Sequence, residues 1–248
     1  MLNFKLFLLA LSFYTRLPAP KQQDYTKLSQ ASIYLPLVGW LVGGLSALCF
    51  FSTSLIWNQS TAVILSLIFS ILLTGAFHED GFADVCDGFG GGYGKANILA
   101  IMKDSQIGVY GAIGLLLLFA LKISLLNSFS LSSVPAVLIA GHSISRFQPL
   151  LIMWRYDYAR IDNSKTGAAM YQPSDAELLF TGLIAIIPML LLPPVCMVSI
   201  AIVFLVNWRL ACYFQNHIGG YTGDCLGASQ QVAETIFYLG VSALWTFT

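Results

Sequence analysis

The sequence predicts an all-α, polytopic integral membrane bundle of about six to seven transmembrane helices with an interfacial N-terminal helix. Composition is the first observation behind this. Of 248 residues, 57% are hydrophobic and only 10% charged, and the mean hydropathy is +0.75. A soluble domain carries about 25% charged residues, and one small globule cannot hide this much apolar surface. The second observation is length. Apolar runs close to the span requirement of about 20 residues lie at 33–51, 60–77, 107–126, 131–153, 178–194, 195–214 and 230–247. The third is the placement of basic residues, which alternates between successive connections.

The elements follow in chain order. The N-terminus, "MLNFKLFLLALSFYTRLPAP", has a short apolar core and no small-x-small cleavage site after it. It reads as a retained helix lying at the interface. The run 60–77 is slightly short and suits a tilted span. The long apolar stretch 178–214 is broken by Pro193-Pro194, where missing donors and restricted backbone favour a hairpin turn. No repeat and no separate soluble domain is visible, so 1–248 reads as one membrane domain. Cys49, Cys86, Cys196, Cys212 and Cys225 form no CxxC pair and read as small buried hydrophobes.

Arg16, Lys21 and Lys27 lie in 16–30, Lys95 and Lys103 in 78–106, and Arg155, Arg160 and Lys165 in 154–177. Arg209 lies near the end of the sixth run. Connections 52–59, 127–130 and the turn at Pro193 hold no Lys or Arg. The positive-inside pattern therefore puts 16–30, 78–106, 154–177 and 215–229 on the cytoplasmic face. Lys122 departs from the pattern near the outer end of its run, where snorkelling to the interface is expected. The net charge is zero, which points to no nucleic-acid partner. Oligomerisation is left open.

The cytoplasmic segments hold the polar chemistry. In "GAFHEDGFADVCDGFGGGYG", Asp80, Asp84 and Asp87 are spaced i, i+4, i+7, one stripe of a helix. Three like charges on one face repel, and a divalent cation removes the conflict. Asp oxygens without paired Cys or His suit Mg²⁺ or Mn²⁺ rather than zinc. The alternative is a solvated acidic loop ending a span. Glycines 88–94 predict a loop able to point N–H groups at phosphate. His78 reads as an interfacial hydrogen-bonding residue before a metal ligand, and Glu79 as a neighbour off the stripe.

"GGYTGDCLGA" places Thr222 and Asp224 among small residues. Asp224 completes a metal site or orients an attacking hydroxyl, or else Thr222 or Asp224 caps the last helix. In "MKDSQIGVYGAIG", Lys103 and Ser105 are candidate phosphate contacts and Asp104 a further ligand or a cap. Arg146 lies within an apolar run four residues after His142. It is a functional candidate or the partner of an acid. Arg16 binds an anion or anchors the membrane edge. Arg160 and Lys165 reach a substrate or lipid headgroups. Metal-binding carboxylates beside basic groups suit phosphoryl or phosphodiester transfer. A cation or proton transporter, which also keeps intramembrane carboxylates, is the other functional class.

"SFYTRLPAP", "YLPLVG", "GAFHEDGFADVCDGFGGG", "IMKDSQIGVYGAIGL" and "GGYTGDCLGA" together resemble the cobalamin synthases, or adenosylcobinamide-GDP ribazoletransferases. The likeness runs in order from Ser12 to Glu234 and is loosest over 161–215. It implies a Mg²⁺-dependent enzyme of the bacterial cytoplasmic (inner) membrane, with its active site facing the cytoplasm. Such enzymes join adenosylcobinamide-GDP to α-ribazole or its 5′-phosphate, releasing GMP, late in cobalamin biosynthesis. The family's motif aspartates fall on Asp80, Asp84 and Asp87, and its T-G-D on Thr222 to Asp224. Glu79 lies outside the motif. By this likeness the four aspartates are catalytic, Asp87 or Asp224 being the general base. Arg16, Lys103 and Arg146 hold phosphate oxygens. "DGFAD" is also similar to the D-G-x-x-A-R start of the CDP-alcohol phosphotransferases. Here Asp84 comes one position early and the Arg is missing, so the likeness is one of chemistry.

Overall fold

A computed structural model describes residues 3–18, 24–160 and 171–245. Helix α1 (Phe4–Tyr14) is 11 residues long, and the Asn3 side chain caps it by accepting from the Lys5 and Leu6 amides. It is too short to cross a bilayer. It packs Leu6, Leu9 and Ala10 against Tyr34, Val38, Val42 and Leu73, as an interfacial helix should. A 3₁₀ turn (Tyr25–Lys27), α2 (Leu28–Ala31) and a second 3₁₀ turn (Ser32–Tyr34) lead into α3 (Leu35–Ser54). Next come α4 (Gln59–Thr74), α5 (Phe77–Gly91), α6 (Gly94–Ile101), α7 (Val109–Ser128) and α8 (Val134–Arg155). Then follow α9 (Asp175–Ile186), 3₁₀ turns at Ile187–Leu191 and Pro194–Met197, α10 (Val198–Ile218) and α11 (Gly223–Trp245).

Among the described residues, four helices are long and apolar enough to span a membrane: 25–54, α7, α8 and 194–218. The pair α4 and α5 passes only together, and it bends by 91°. The all-α polytopic class is therefore as expected, although fewer runs qualify as spans. The run 178–194 ends as α-helix at Ile186 because Pro188 sits in the following 3₁₀ turn, where its missing N–H does no harm. The run 230–247 belongs to a helix that begins earlier, at Gly223, and buries Gln230, Gln231 and Glu234. Helix α8 is the buried centre of the bundle. Its Val137, Leu138, Ala140 and Ile144 join Phe50, Val63, Leu126, Phe237 and Val241 in one core. A second core, with Leu150, Phe214, Tyr221 and Cys225, lies under the start of α11.

The bend between α4 and α5 is made by two successive left-handed residues, Gly75 (φ 68°) and Ala76 (φ 59°). Gly75 adopts this freely, whereas Ala76 pays a steric cost for it. The Asp- and Gly-rich α5 leaves α4 at 91° and buries His78, Gly81, Ala83, Val85, Asp87 and Gly88. The expected glycine loop is not a loop. Helix continues through Gly91, and the Gly92 amide still donates to the Gly88 carbonyl at 3.0 Å. The amides within this helix are consumed by its own ladder, leaving little backbone to cradle phosphate.

Candidate active site

The stripe is helical, as its spacing requires, but its three members do different things. Asp80 is exposed, Asp84 half-buried and Asp87 buried. Asp87 turns to the N-terminus of α7, where its carboxylate accepts from the Gly108 amide at 2.7 Å and the Gly111 amide at 2.8 Å. It satisfies two donors that a helix start would otherwise leave unpaired. Among the described residues, no three His, Cys, Asp or Glu side chains stand close enough to hold a metal ion as a closed group. The expected three-aspartate cage is therefore not preformed, because Asp87 is committed to α7.

Asp224 takes its place beside α5. The helices α5 and α11 meet at Gly81: a Cβ there would lie 2.9 Å from the Asp224 carbonyl oxygen and 3.0 Å from its Cα. This close approach brings the first turn of α11 against Asp80 and Asp84. Partial burial, then the charges of Asp80, Asp224 and Asp87, push the Asp84 carboxyl up to about 6, while Arg160 pulls it back. Burial likewise raises the Asp224 carboxyl, opposed by Arg160 and the Thr222 hydroxyl. Mutual repulsion among carboxylates is what a hard dication relieves. Mg²⁺ is commonly held by one or two carboxylates plus substrate phosphates. The oxygen-only Asp80 and Asp84 suit that ion in chemistry, with Asp224 beside them, although the three do not form a closed group.

Of the readings open for it, Thr222 shows the cap. Its hydroxyl oxygen accepts from the Cys225 amide at 3.3 Å, which caps α11, and lies 3.2 Å from Asp224 Oδ2. Arg160 arrives through a short parallel bridge between Tyr158 and Tyr221. In it the Tyr221 amide donates to the Asp157 carbonyl, and the Ala159 amide to the Tyr221 carbonyl. Arg160 Nη2 then donates to Asp224 Oδ2 at 3.0 Å and to the Met102 carbonyl at 3.5 Å. Arg160 is thus the basic residue joined to the acidic face. Lys165 lies outside the described residues.

The remaining candidates divide. Lys103 is exposed in the connection before α7. Asp104 is also exposed there, and its carboxylate closes a local turn by accepting from the Gln106 amide at 3.0 Å. Arg16 is exposed at the end of α4, its guanidinium against Gly75 and its amide donating to the Leu73 carbonyl at 2.7 Å. His78 is 3% exposed and stacks on Tyr14, with Nδ1 unpartnered.

Arg146 and Glu79 belong to a buried polar network. Arg146 is 2% exposed and Nη1 donates to His142 Nδ1 at 2.8 Å and to the His142 carbonyl at 3.2 Å. The Glu234 carboxylate meets the same nitrogen, with Oε2 3.3 Å from His142 Nδ1. Glu79 is half-buried, and its Oε1 accepts from Gln231 Nε2 at 2.9 Å. Lys122 does not snorkel. It is 2% exposed and donates to Glu234 Oε1 at 2.8 Å and Gln231 Oε1 at 2.7 Å. Glu234 lies 112 residues away, a pairing that sequence spacing does not reveal. Arg146, enclosed in this network, does not reach the aspartate face as a free phosphate ligand.

A match to the family described as cobalamin-5-phosphate synthase covers residues 6–242. The chain belongs to the cobalamin-5-phosphate synthase family. It is 44% identical to an adenosylcobinamide-GDP ribazoletransferase of Shewanella amazonensis, covering 98% of this chain and 97% of that one. It is 46% identical to the protein of the same name from Shewanella piezotolerans, over 96% and 94% of the two chains. A Ralstonia pickettii relative, also so named, is 38% identical over 94% and 93%. No solved structure matches the chain. Membership in the cobalamin-5-phosphate synthase family displaces the CDP-alcohol phosphotransferase and transporter readings.

Proposed function

We propose that the protein joins adenosylcobinamide-GDP to α-ribazole or its 5′-phosphate and releases GMP, at the cytoplasmic side of the bacterial inner membrane. The observation that carries this reading is the meeting of Asp80, Asp84 and Asp224, with Arg160 on Asp224, where α5 crosses the start of α11. The names of the relatives supply the two substrates.

Mg²⁺, when bound by Asp80 and Asp84, supplies positive charge that screens the diphosphate. The ribose hydroxyl of α-ribazole attacks the phosphorus attached to cobinamide. A new P–O bond forms, the anhydride P–O bond breaks, and GMP leaves with the bridging oxygen. Asp224 accepts the hydroxyl proton, because a carboxyl raised by burial is a stronger base than a solvated one. Asp87 is the weaker choice, since both its oxygens already accept from backbone amides. Arg160 holds Asp224 in place and offers a cation to the phosphate. The exposed Arg16 and Lys103 are further phosphate contacts.

The test is direct. Purified protein given adenosylcobinamide-GDP and α-ribazole should release GMP with Mg²⁺ and not after chelation. No GMP under any divalent ion would overturn the reading.

A further inference from the structure

Beside the acidic face lies a cavity of about 350 Å³ between α1, the 25–35 turns, α5, α8 and the start of α11. Its wall is aromatic. Phe13, Tyr14, Phe77 and His78 interlock with ring centroids 5.0–6.3 Å apart, mostly edge to face, with Tyr14 and His78 stacked at 14°. Ser29 and Ser32 add hydroxyls to the lining. No Lys, Arg, Asp or Glu is among the described lining residues. Two lining residues tie the cavity to the site. His78 stands two positions before Asp80, and Gly223 immediately precedes Asp224.

We infer that this cavity binds the neutral fused aromatic base of the α-ribazole nucleoside, placing its ribose hydroxyl at Asp224. The inference rests on the proposed function. The chemistry of the lining selects among the ligand parts that reading brings. A diphosphate needs cations, and the described lining residues offer none. A flat uncharged heteroaromatic gains from stacking and edge contacts with several rings, and pockets of a few hundred Å³ lined by aromatics with few polar groups are typical of small-ligand sites.

Two variants test this by opposite means. Ser29→Trp fills the cavity from a half-buried position, and Phe77→Ala removes part of the wall at a side chain that is 40% exposed. Each should raise KM for α-ribazole about tenfold, the worth of one or two aromatic contacts. KM for adenosylcobinamide-GDP should stay within about twofold, since that term reports binding of the other substrate. Direct binding of α-ribazole to the purified protein should weaken in parallel. Melting temperature in detergent checks that both variants fold, and if one fails the other carries the test. Unchanged KM for α-ribazole in a folded variant, as for a cavity filled by a lipid chain, overturns the inference while wild-type GMP release upholds the proposed function. A rise in KM for adenosylcobinamide-GDP alone assigns the cavity to the guanine and overturns it too. Wild-type protein that binds α-ribazole but releases no GMP defeats the proposed function instead.

Discussion

Asp84 is the residue on which local electrostatics bear hardest. Its carboxyl stands at about 6 against an ordinary 3.8, so the folded protein holds this proton more tightly than the unfolded chain. The stabilising contribution is complete below pH 3.8 and is lost as pH rises through about 6. A bound dication favours the charged form and opposes that loss. Thermal protection by Mg²⁺ should therefore be larger at about pH 7.5 than at about pH 5, and Asp84→Asn should abolish the difference. Melting curves at both pH values check it; equal protection would argue against Asp84 as a ligand. Lys122 makes a second prediction at this scale. Lys122→Met removes the ammonium that meets Glu234 at 2.8 Å inside the buried network and should cost about 3–5 kcal/mol. Unfolding of the two proteins gives the comparison. The residue types were readable: the aspartates, Thr222 and the buried Arg146 stand out from an apolar chain. Their partners were not, because Lys122 with Glu234, and Arg160 with Asp224, are joined across 112 and 64 residues.

Spacing alone made α5 a helix with one acidic stripe, and so it is. The direction each member faces depends on neighbours that periodicity does not name. Asp87 faces α7 because the start of that helix presents two free amides. The glycines after it looked like a loop, since glycine weakens a helix by about 1 kcal/mol per residue, yet helix persists to Gly91. The long 178–214 stretch breaks at Pro193, between two 3₁₀ turns, and α-helix already stops before Pro188. At Gly81 the element scale governs the chemistry, since the α5–α11 separation sets where Asp80 and Asp84 stand relative to Asp224. Gly81→Ala would place a methyl 2.9 Å from the Asp224 carbonyl. The forced displacement should lower kcat about a hundredfold, as small misplacements of reacting groups do, with helical content by circular dichroism unchanged. Wild-type kcat in this variant would show that the crossing is not tight.

Over the whole molecule, hydropathy made the bundle and its N-terminal surface helix legible, and the uneven Lys and Arg residues gave a direction. Hydropathy did not show that α4 and α5 form one unit bent by 91°, because two consecutive left-handed residues leave no apolar signature. The bend turns the acidic α5 away from the line of α4, and α5 meets α11 at Gly81. The proposed orientation predicts that reporter fusions at Asn58 and Ser128 read outside and a fusion at Gly91 inside; an outside reading at Gly91 would separate the acidic face from cytoplasmic substrates. The central claim is that carboxylates from α5 gather, beside Asp224, around a divalent ion shared with a diphosphate. Electron paramagnetic resonance of Mn²⁺ with purified protein and adenosylcobinamide-GDP tests it most directly. Bound Mn²⁺ should disappear in folded Asp80→Asn and Asp84→Asn and persist in Asp87→Asn. Wild-type Mn²⁺ binding in both of the first two variants would contradict the account.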